Sequence, residues 1–209
     1  MPAVHPFRSQ RLIYRTFASP DNDAFFDSVC GDALSFLASC PSLPKPNDLA
    51  YYKSIREYLA KNTLLWVVMY RAREGAIADA TQTITDLAML EPVGMMFLKA
   101  AGSDVAYHQN TELGIDIAAD FQGQGYGTEA INWVLDWAFD QANQHRVELM
   151  ALGWNPRAVA LYERIGFRKE GVKRECFYKD GKWWDEYWMG MLKSEHAELK
   201  KQRADKAPQ

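Results

Sequence analysis

Residues 122–127 read QGQGYG, with glycines at three alternate positions (Gly123, Gly125 and Gly127) between an apolar run and a helix-like one. Without a Cβ, such a stretch lets the backbone approach a ligand closely and take φ > 0. Placed between a strand and a helix, it also presents the unpaired N–H groups of the first helical turn and the positive end of the helix dipole. Both suit an anion. A glycine-rich turn with no ligand is the plain alternative. A Walker A loop is excluded, because Gly127-Thr128 lacks the lysine between. A GxGxxG dinucleotide fingerprint fails as well: the third glycine comes one residue early and the run lies past mid-chain. The pattern [RQ]xxGx[GA] is met by Gln122, Gly125 and Gly127.

The elements that must position this run follow from periodicity. RLIYRTFA (11–18) is β-rich, and 21–40 carries Phe25, Phe26, Val29, Leu34 and Leu37 near helical spacing. CPSLPKPND (40–48), with its three prolines, cannot continue a helix, and a second helix is expected over 48–61. LLWVVMYRA (64–72), PVGMMFLKA (92–100) and TELGIDIA (111–118) read as strands, whereas 73–90 reads as a long loop or insertion. Within 128–144, Ile131, Val134, Leu135, Ala138 and Ala142 recur at the spacing of a core-facing helix. RVELMALGW (146–154) is a strand. Asn155 is an N-cap candidate, Pro156 fits the first helical position and Gly166 the C′ position. The run 171–192 reads as a hairpin about Asp180-Gly181, and the charged tail from Ser194 as a frayed helix or disorder.

This order predicts an α/β (α+β) fold with a mixed, mainly antiparallel sheet flanked by helices. No linker or repeat divides the chain, so one domain is expected over 1–193, followed by a charged tail over 194–209.

The 209 residues suffice for a full core without disulfides or metal. A net charge of -3 argues against wholesale nucleic-acid binding, and no apolar run is long enough for a membrane span. Cys30, Cys40 and Cys176 lack CxxC spacing and fit a reducing, cytoplasmic setting; the N-terminus has no signal-peptide core. The four histidines lack metal-ligand spacing, so no metal site is expected.

The glycine run and its flanks resemble the GNAT superfamily of N-acetyltransferases. The resemblance rests on ELGIDIA before the glycines, on QGQGYG itself, and on Asn155 followed by ALYERIGF (160–167). The final hairpin resembles the subgroup that includes the ribosomal-protein and spermidine acetyltransferases. It covers roughly 11–192 and is sharpest from 111 onward.

That resemblance implies acetyl-CoA as co-substrate and direct acetyl transfer to a primary amine, either a small molecule such as a polyamine or a protein N-terminus. It implies that Ile115, Asp116, Ile117 and Ala118 form a splayed strand end beside the pantetheine arm, with a backbone N–H near Ile117 serving the thioester carbonyl. Gln122, Gly123, Gln124, Gly125, Tyr126, Gly127 and Thr128 would wrap the pyrophosphate, and Asn155 and Ala158 would lie along the cofactor. Tyr162 matches the tyrosine that donates to the departing sulfur. It lies seven residues from Asn155, on the same helical face; an aromatic packing the sheet is the plainer reading.

Glu112 matches a position where a glutamate is frequent and is sometimes assigned the amine proton, often through water. A structural role, simple attraction of cationic amines, and capture of neutral amine with no dedicated base stand beside it. Asp116, four residues on, shares its strand face. Glu112, Asp116, Asp120, Asp185 and Glu186 would suit a cationic amine and equally a peptide N-terminus. The aromatic hairpin (Phe177, Tyr178, Trp183, Trp184, Tyr187, Trp188) would serve the core, an acceptor pocket or a homodimer contact. A non-catalytic acyl-CoA-binding regulator and a pure interaction module are the competing classes. The intact motif and Tyr162 argue against the first.

Overall fold

The computed structural model describes residues 5–32, 38–43, 45–73 and 87–205. Seven strands form one sheet in the order β1-β2-β3-β4-β5-β7-β6. They are β1 (Leu12–Thr16), β2 (Thr63–Ala72), β3 (Leu90–Lys99), β4 (Asn110–Ile117), β5 (Arg146–Leu152), β6 (Arg168–Lys179) and β7 (Lys182–Leu192). Only β4 and β5 run parallel; every other neighbouring pair is antiparallel. The mixed, mainly antiparallel sheet expected from the sequence is present, with helices on its faces.

Alternation along the strands decides what each face meets. On one face, Val67 and Met69 of β2, Leu113 of β4 and Met189 and Met191 of β7 are buried in the main core. Helix α3 (Tyr126–Asp136) and helix α4 (Pro156–Ile165) close it with Ala130, Ile131, Val134 and Val159. On the other face, helices α1 (Asp23–Gly31) and α2 (Leu49–Asn62) cover β2 and β3, with Phe26, Val29 and Leu59 packed on Trp66 and Met95. Arg56 of α2 pairs with Asp23 and Asp27 of α1 and ties the two helices together.

Several boundaries differ from the sequence reading. α1 stops at Gly31, and residues 33–37, with Leu34 and Leu37, lie outside the described residues. Most of the expected 73–90 loop, residues 74–86, lies outside them too; Leu87–Met89 forms a short 3-10 turn. α3 begins at Tyr126 rather than Thr128, so Gly127 is a helical residue, and its C-terminal turn, Trp137–Gln141, is a π-turn.

The tail is an ordered helix, α5 (Lys193–Asp205). His196 is buried against the Phe139 ring, Leu199 packs on the core, and Lys200 pairs with Asp136 and Asp140. So narrow a buried stripe leaves the segment's composition polar, which is why it reads as a loose tail. Among the described residues no helix is long and apolar enough to cross a membrane.

Candidate functional site

The central opening in the sheet begins where β4 and β5 part. They pair only from Asn110–Arg146 to Glu112–Glu148. Beyond that, β5 stays with β7 through Leu152, while β4 stays with β3 to Ile117. The Ala118 N–H donates to Val93 O on the β3 side. By strand alternation the Ile117 and Ile115 N–H groups face the opening. The parted end thus offers backbone donors and acceptors along one lip, as an extended pantetheine arm would need.

The opening ends at the glycines. Gly123 (φ 75) and Gly125 (φ 85) are left-handed, a conformation that costs a Cβ-bearing residue roughly 1–2 kcal/mol. Gly125 is the N-cap of α3, and no side chain caps it, so the first-turn N–H groups of Tyr126, Gly127 and Thr128 face outward. Gly127, in the first helical turn, faces Leu161 of α4, and a Cβ there would make only ordinary contact at 3.6 Å. Gln122 and Gln124 brace the loop, their Nε2 atoms donating to Ile117 O (3.0 Å) and Asp120 O (2.9 Å).

Two arginines flank this loop. A Cβ built on Gly125 would lie 3.3 Å from Nη2 of Arg11, and one on Gly123 3.6 Å from Nη2 of Arg157. Arg11 donates to Gln124 O (2.9 Å), stacks over the Tyr126 ring and pairs with Glu129 (2.7 Å). Burial alone would raise the Glu129 carboxyl. Hydrogen bonds from Ser9 and Arg11, with the Arg11 charge, outweigh it and hold that carboxyl below its usual range. Bare helical N–H groups and two guanidinium groups make a site that fits a pyrophosphate. Sequence reasoning missed both arginines. Arg11 lies 118 residues from Glu129, so only the folded chain joins them. Arg157, two residues after Asn155, carried a local signal.

α4 brings its residues to the opposite lip. Asn155 caps it, Oδ1 accepting from the Ala158 N–H at 3.1 Å, while Nδ2 donates to Ala38 O at 3.2 Å. Both polar atoms of Asn155 are therefore engaged within the protein. Tyr162 is partly buried, edge-on to Phe167. Burial, followed by the nearby Asp116 charge, pushes its phenol up to about 12, so it stays a proton donor. Cys30 of α1 also faces this place, and burial, then the Asp116 and Asp27 charges, pushes its thiol up to about 12.

The strand face away from the main core carries Glu112, Gly114 and Asp116. Glu112 sits in the paired part of β4 and holds the Lys99 ammonium at 2.7 Å. Asp116 lies about 13 Å further along at roughly 3.3 Å per residue, within the parted end. Its carboxylate takes a hydrogen bond from Ser39, and burial raises it above the usual carboxylate range. Asp116 and Tyr162 come together; Glu112 stands apart. Asp120 is exposed in the 3-10 turn after β4, and Asp185 accepts the Glu175 N–H at 2.9 Å.

The hairpin resolves into two faces. Tyr187 packs on the main core, while Trp184, Glu186 and Trp188 share the other face, with Trp188 Nε1 donating to the buried Glu186 at 2.9 Å. Trp154, just before Asn155, meets both Phe177 and Trp184 edge-on. Tyr178 and Trp183 at the tip are exposed. A separate pocket of about 500 Å³, lined by Phe17, Asp23, Arg56, Thr63 and Trp66, lies at the other end of β2. β2 meets Gly94, and through it Ile117, at Met69, several residues away.

The family model for the acetyltransferase (GNAT) domain matches residues 11–168. The spermidine N(1)-acetyltransferase of Vibrio cholerae is 38% identical over 89 residues, 43% of this chain and 51% of that protein. The uncharacterized N-acetyltransferase YnaD of Bacillus subtilis is 32% identical over 84 residues, 40% of this chain and 49% of that protein. The match thus spans about half the length of these two relatives. The crystal structure of the Vibrio cholerae spermidine N-acetyltransferase in complex with CoA and spermine superposes with a TM-score of 0.71. That superposition covers 90% of this chain and 98% of the other at 23% identity, a likeness of fold.

Proposed function

The chain belongs to the GNAT family of acetyltransferases, and from that premise we propose that it moves the acetyl group of acetyl-CoA directly to a primary amine. One observation carries the reading. The parted lip of β4 leads, through a 3-10 turn (Ala119–Phe121) and the glycine loop, to an uncapped helix N-terminus, with the Tyr162 phenol on the facing helix. A bare strand edge, an anion cradle and a protonated acid in that order match an acyl thioester on a phosphorylated carrier.

In this reading Tyr126, Gly127 and Thr128 hold the pyrophosphate through their N–H groups, aided by Arg11 and Arg157. Gln122, Gly123, Gln124 and Gly125 shape the loop around it. Ile115 and Ile117 pair with the pantetheine arm through backbone groups that face the opening, whereas Asp116 and Ala118, expected to join them, turn their backbone toward β3. Asn155 and Ala158 border the other side. The Ile117 N–H donates to the thioester carbonyl and stabilises the oxyanion as it forms. Tyr162 gives its proton to the departing sulfur.

The acceptor enters between α1, the segment around Ser39 and the hairpin. The carboxylates there, and a relative named as a spermidine acetyltransferase, support a cationic amine such as a polyamine. A protein N-terminal amine has the same chemistry. The free cysteines support a cytoplasmic setting, and the exposed hairpin aromatics support pairing with a second copy.

Calorimetric titration with acetyl-CoA, followed by thiol release over a panel of polyamines and N-terminal peptides, tests the reading. Saturable binding and amine-dependent thiol release are expected. An acetyl-CoA titration without heat would sink it.

A further inference from the structure

Asp116 lies at the open end of β4, on the strand face turned away from the main core. Four residues back, Glu112 shares that face, but its charge is met by Lys99 at 2.7 Å. The Phe97 ring stands between the two carboxylates. A Cβ on Gly114 would be 2.2 Å from that ring, so the ring lies directly over residue 114. Among the described residues no lysine or arginine forms an ion pair with Asp116; its partner is the Ser39 hydroxyl. The other groups that sense it are Tyr162 from α4 and Cys30 from α1, the latter facing Asp27, Cys40 and Arg56 in turn. A partly buried carboxylate without a cation is costly to keep. Here it stands beside the group that would donate to the leaving sulfur.

We infer that the Asp116 carboxylate, between Tyr162 and Ser39, receives the acceptor's ammonium group and takes its proton. This rests on the acetyl-transfer reading and names its base. One N–H bond of the ammonium breaks and an O–H bond forms on Asp116, leaving a neutral amine. The nitrogen lone pair then forms the C–N bond at the thioester carbon. As the tetrahedral centre collapses, the C–S bond breaks, the sulfur keeps the electron pair and takes the Tyr162 proton. The second nitrogen proton returns to the Tyr162 phenolate, and Asp116 releases its own to solvent. The acceptor class is therefore an amine cationic at neutral pH, its charge matched by a single carboxylate. Glu112 is a structural ion-pair member in this scheme.

The test compares Asp116→Asn with Glu112→Gln in the full chain, using spermidine and an amine already neutral at the assay pH. Asp116→Asn is expected to keep acetyl-CoA binding by calorimetry and to lose roughly 10²–10⁴-fold in kcat with spermidine. That loss should shrink as pH rises, and it should be absent with the neutral amine. Glu112→Gln should stay near wild type. Equal slowing with both amines would make Asp116 structural and overturn the inference. A raised KM for spermidine at unchanged kcat would leave it a charge attractor and also overturn it, as would the loss appearing in Glu112→Gln instead. Wild-type protein that binds acetyl-CoA but acetylates neither amine would strike the acetyl-transfer reading itself, a result distinct from all three.

Discussion

The two ends of the opening between β4 and β5 are built by different means. The proposed anion end is mostly backbone: helical N–H groups and two left-handed glycines, braced by Gln122 and Gln124 and flanked by the Arg11 and Arg157 guanidinium groups. The acceptor end is side chain: Asp116 from β4, Cys30 from α1, Ser39 from the following segment and Tyr162 from α4. A backbone site must be written in one short run, because adjacent peptides do the work. A side-chain site can draw on parts far apart in sequence. The first kind tolerates few substitutions at few positions; the second can be retuned one residue at a time.

The largest expected effect attacks the backbone end. Gly125→Glu puts a carboxylate where the proposed pyrophosphate would lie and a Cβ at φ 85. Like-charge contact costs several kcal/mol, so acetyl-CoA affinity should fall by ~10²-fold or more. Unchanged calorimetric affinity would place the anion elsewhere. Tyr162→Phe comes next and should separate the ends. kcat should fall by roughly tenfold to ten-thousandfold with acetyl-CoA affinity kept; a full-rate variant removes Tyr162 from the chemistry.

Asn155 joins both ends, and Asn155→Ala removes a helix cap and the link to Ala38. A stability loss of about 1 kcal/mol is expected in denaturant unfolding, together with a higher acceptor KM. No change in either would mean the contact to Ala38 is incidental.

The smallest effect has the opposite sign. The folded Asp116 carboxyl holds its proton more tightly than the unfolded one. The folded state therefore binds more protons, and stability falls as pH rises from about 4 through the raised folded value. Asp116→Asn abolishes that loss and should be slightly more stable than wild type at neutral pH in denaturant unfolding. The advantage should vanish in acid. A less stable variant at neutral pH would mean that the carboxylate is satisfied after all.

The difference between the ends also explains what the sequence revealed. The glycine run, the Asn155 cap with Pro156, the Gly166 stop (φ 120) and the Asp180-Gly181 turn (φ 51 and 82) are local devices, and each is found where the residues placed it. The succession of strands and helices along the chain followed from alternation and hydrophobic runs; their order in the sheet did not. Ser39, Arg11 and the nearness of the Asp116 charge to Tyr162 were not readable, because each joins segments many residues apart. Glu112 was read from its motif position as a base, with a structural role left open beside it. Nothing in its own surroundings announced that Lys99, thirteen residues earlier, would claim it. The ordered tail helix escaped notice for a related reason: His196 and Leu199 are too few apolar contacts to produce a periodic stripe.

The brief β4–β5 pairing has a mechanical side. Two antiparallel blocks, β1 to β4 and β5 to β7, share only three residue pairs along their common seam, with helices bridging behind. The sheet is least stitched where the thioester would lie. An extended arm bonded to the β4 lip acts as a missing strand and closes the seam. Cohesion then depends on loading: at a ligand concentration a hundred times Kd the folded state gains about 2.7 kcal/mol. Such a protein is firmest when charged with its donor and loosens each time the donor leaves.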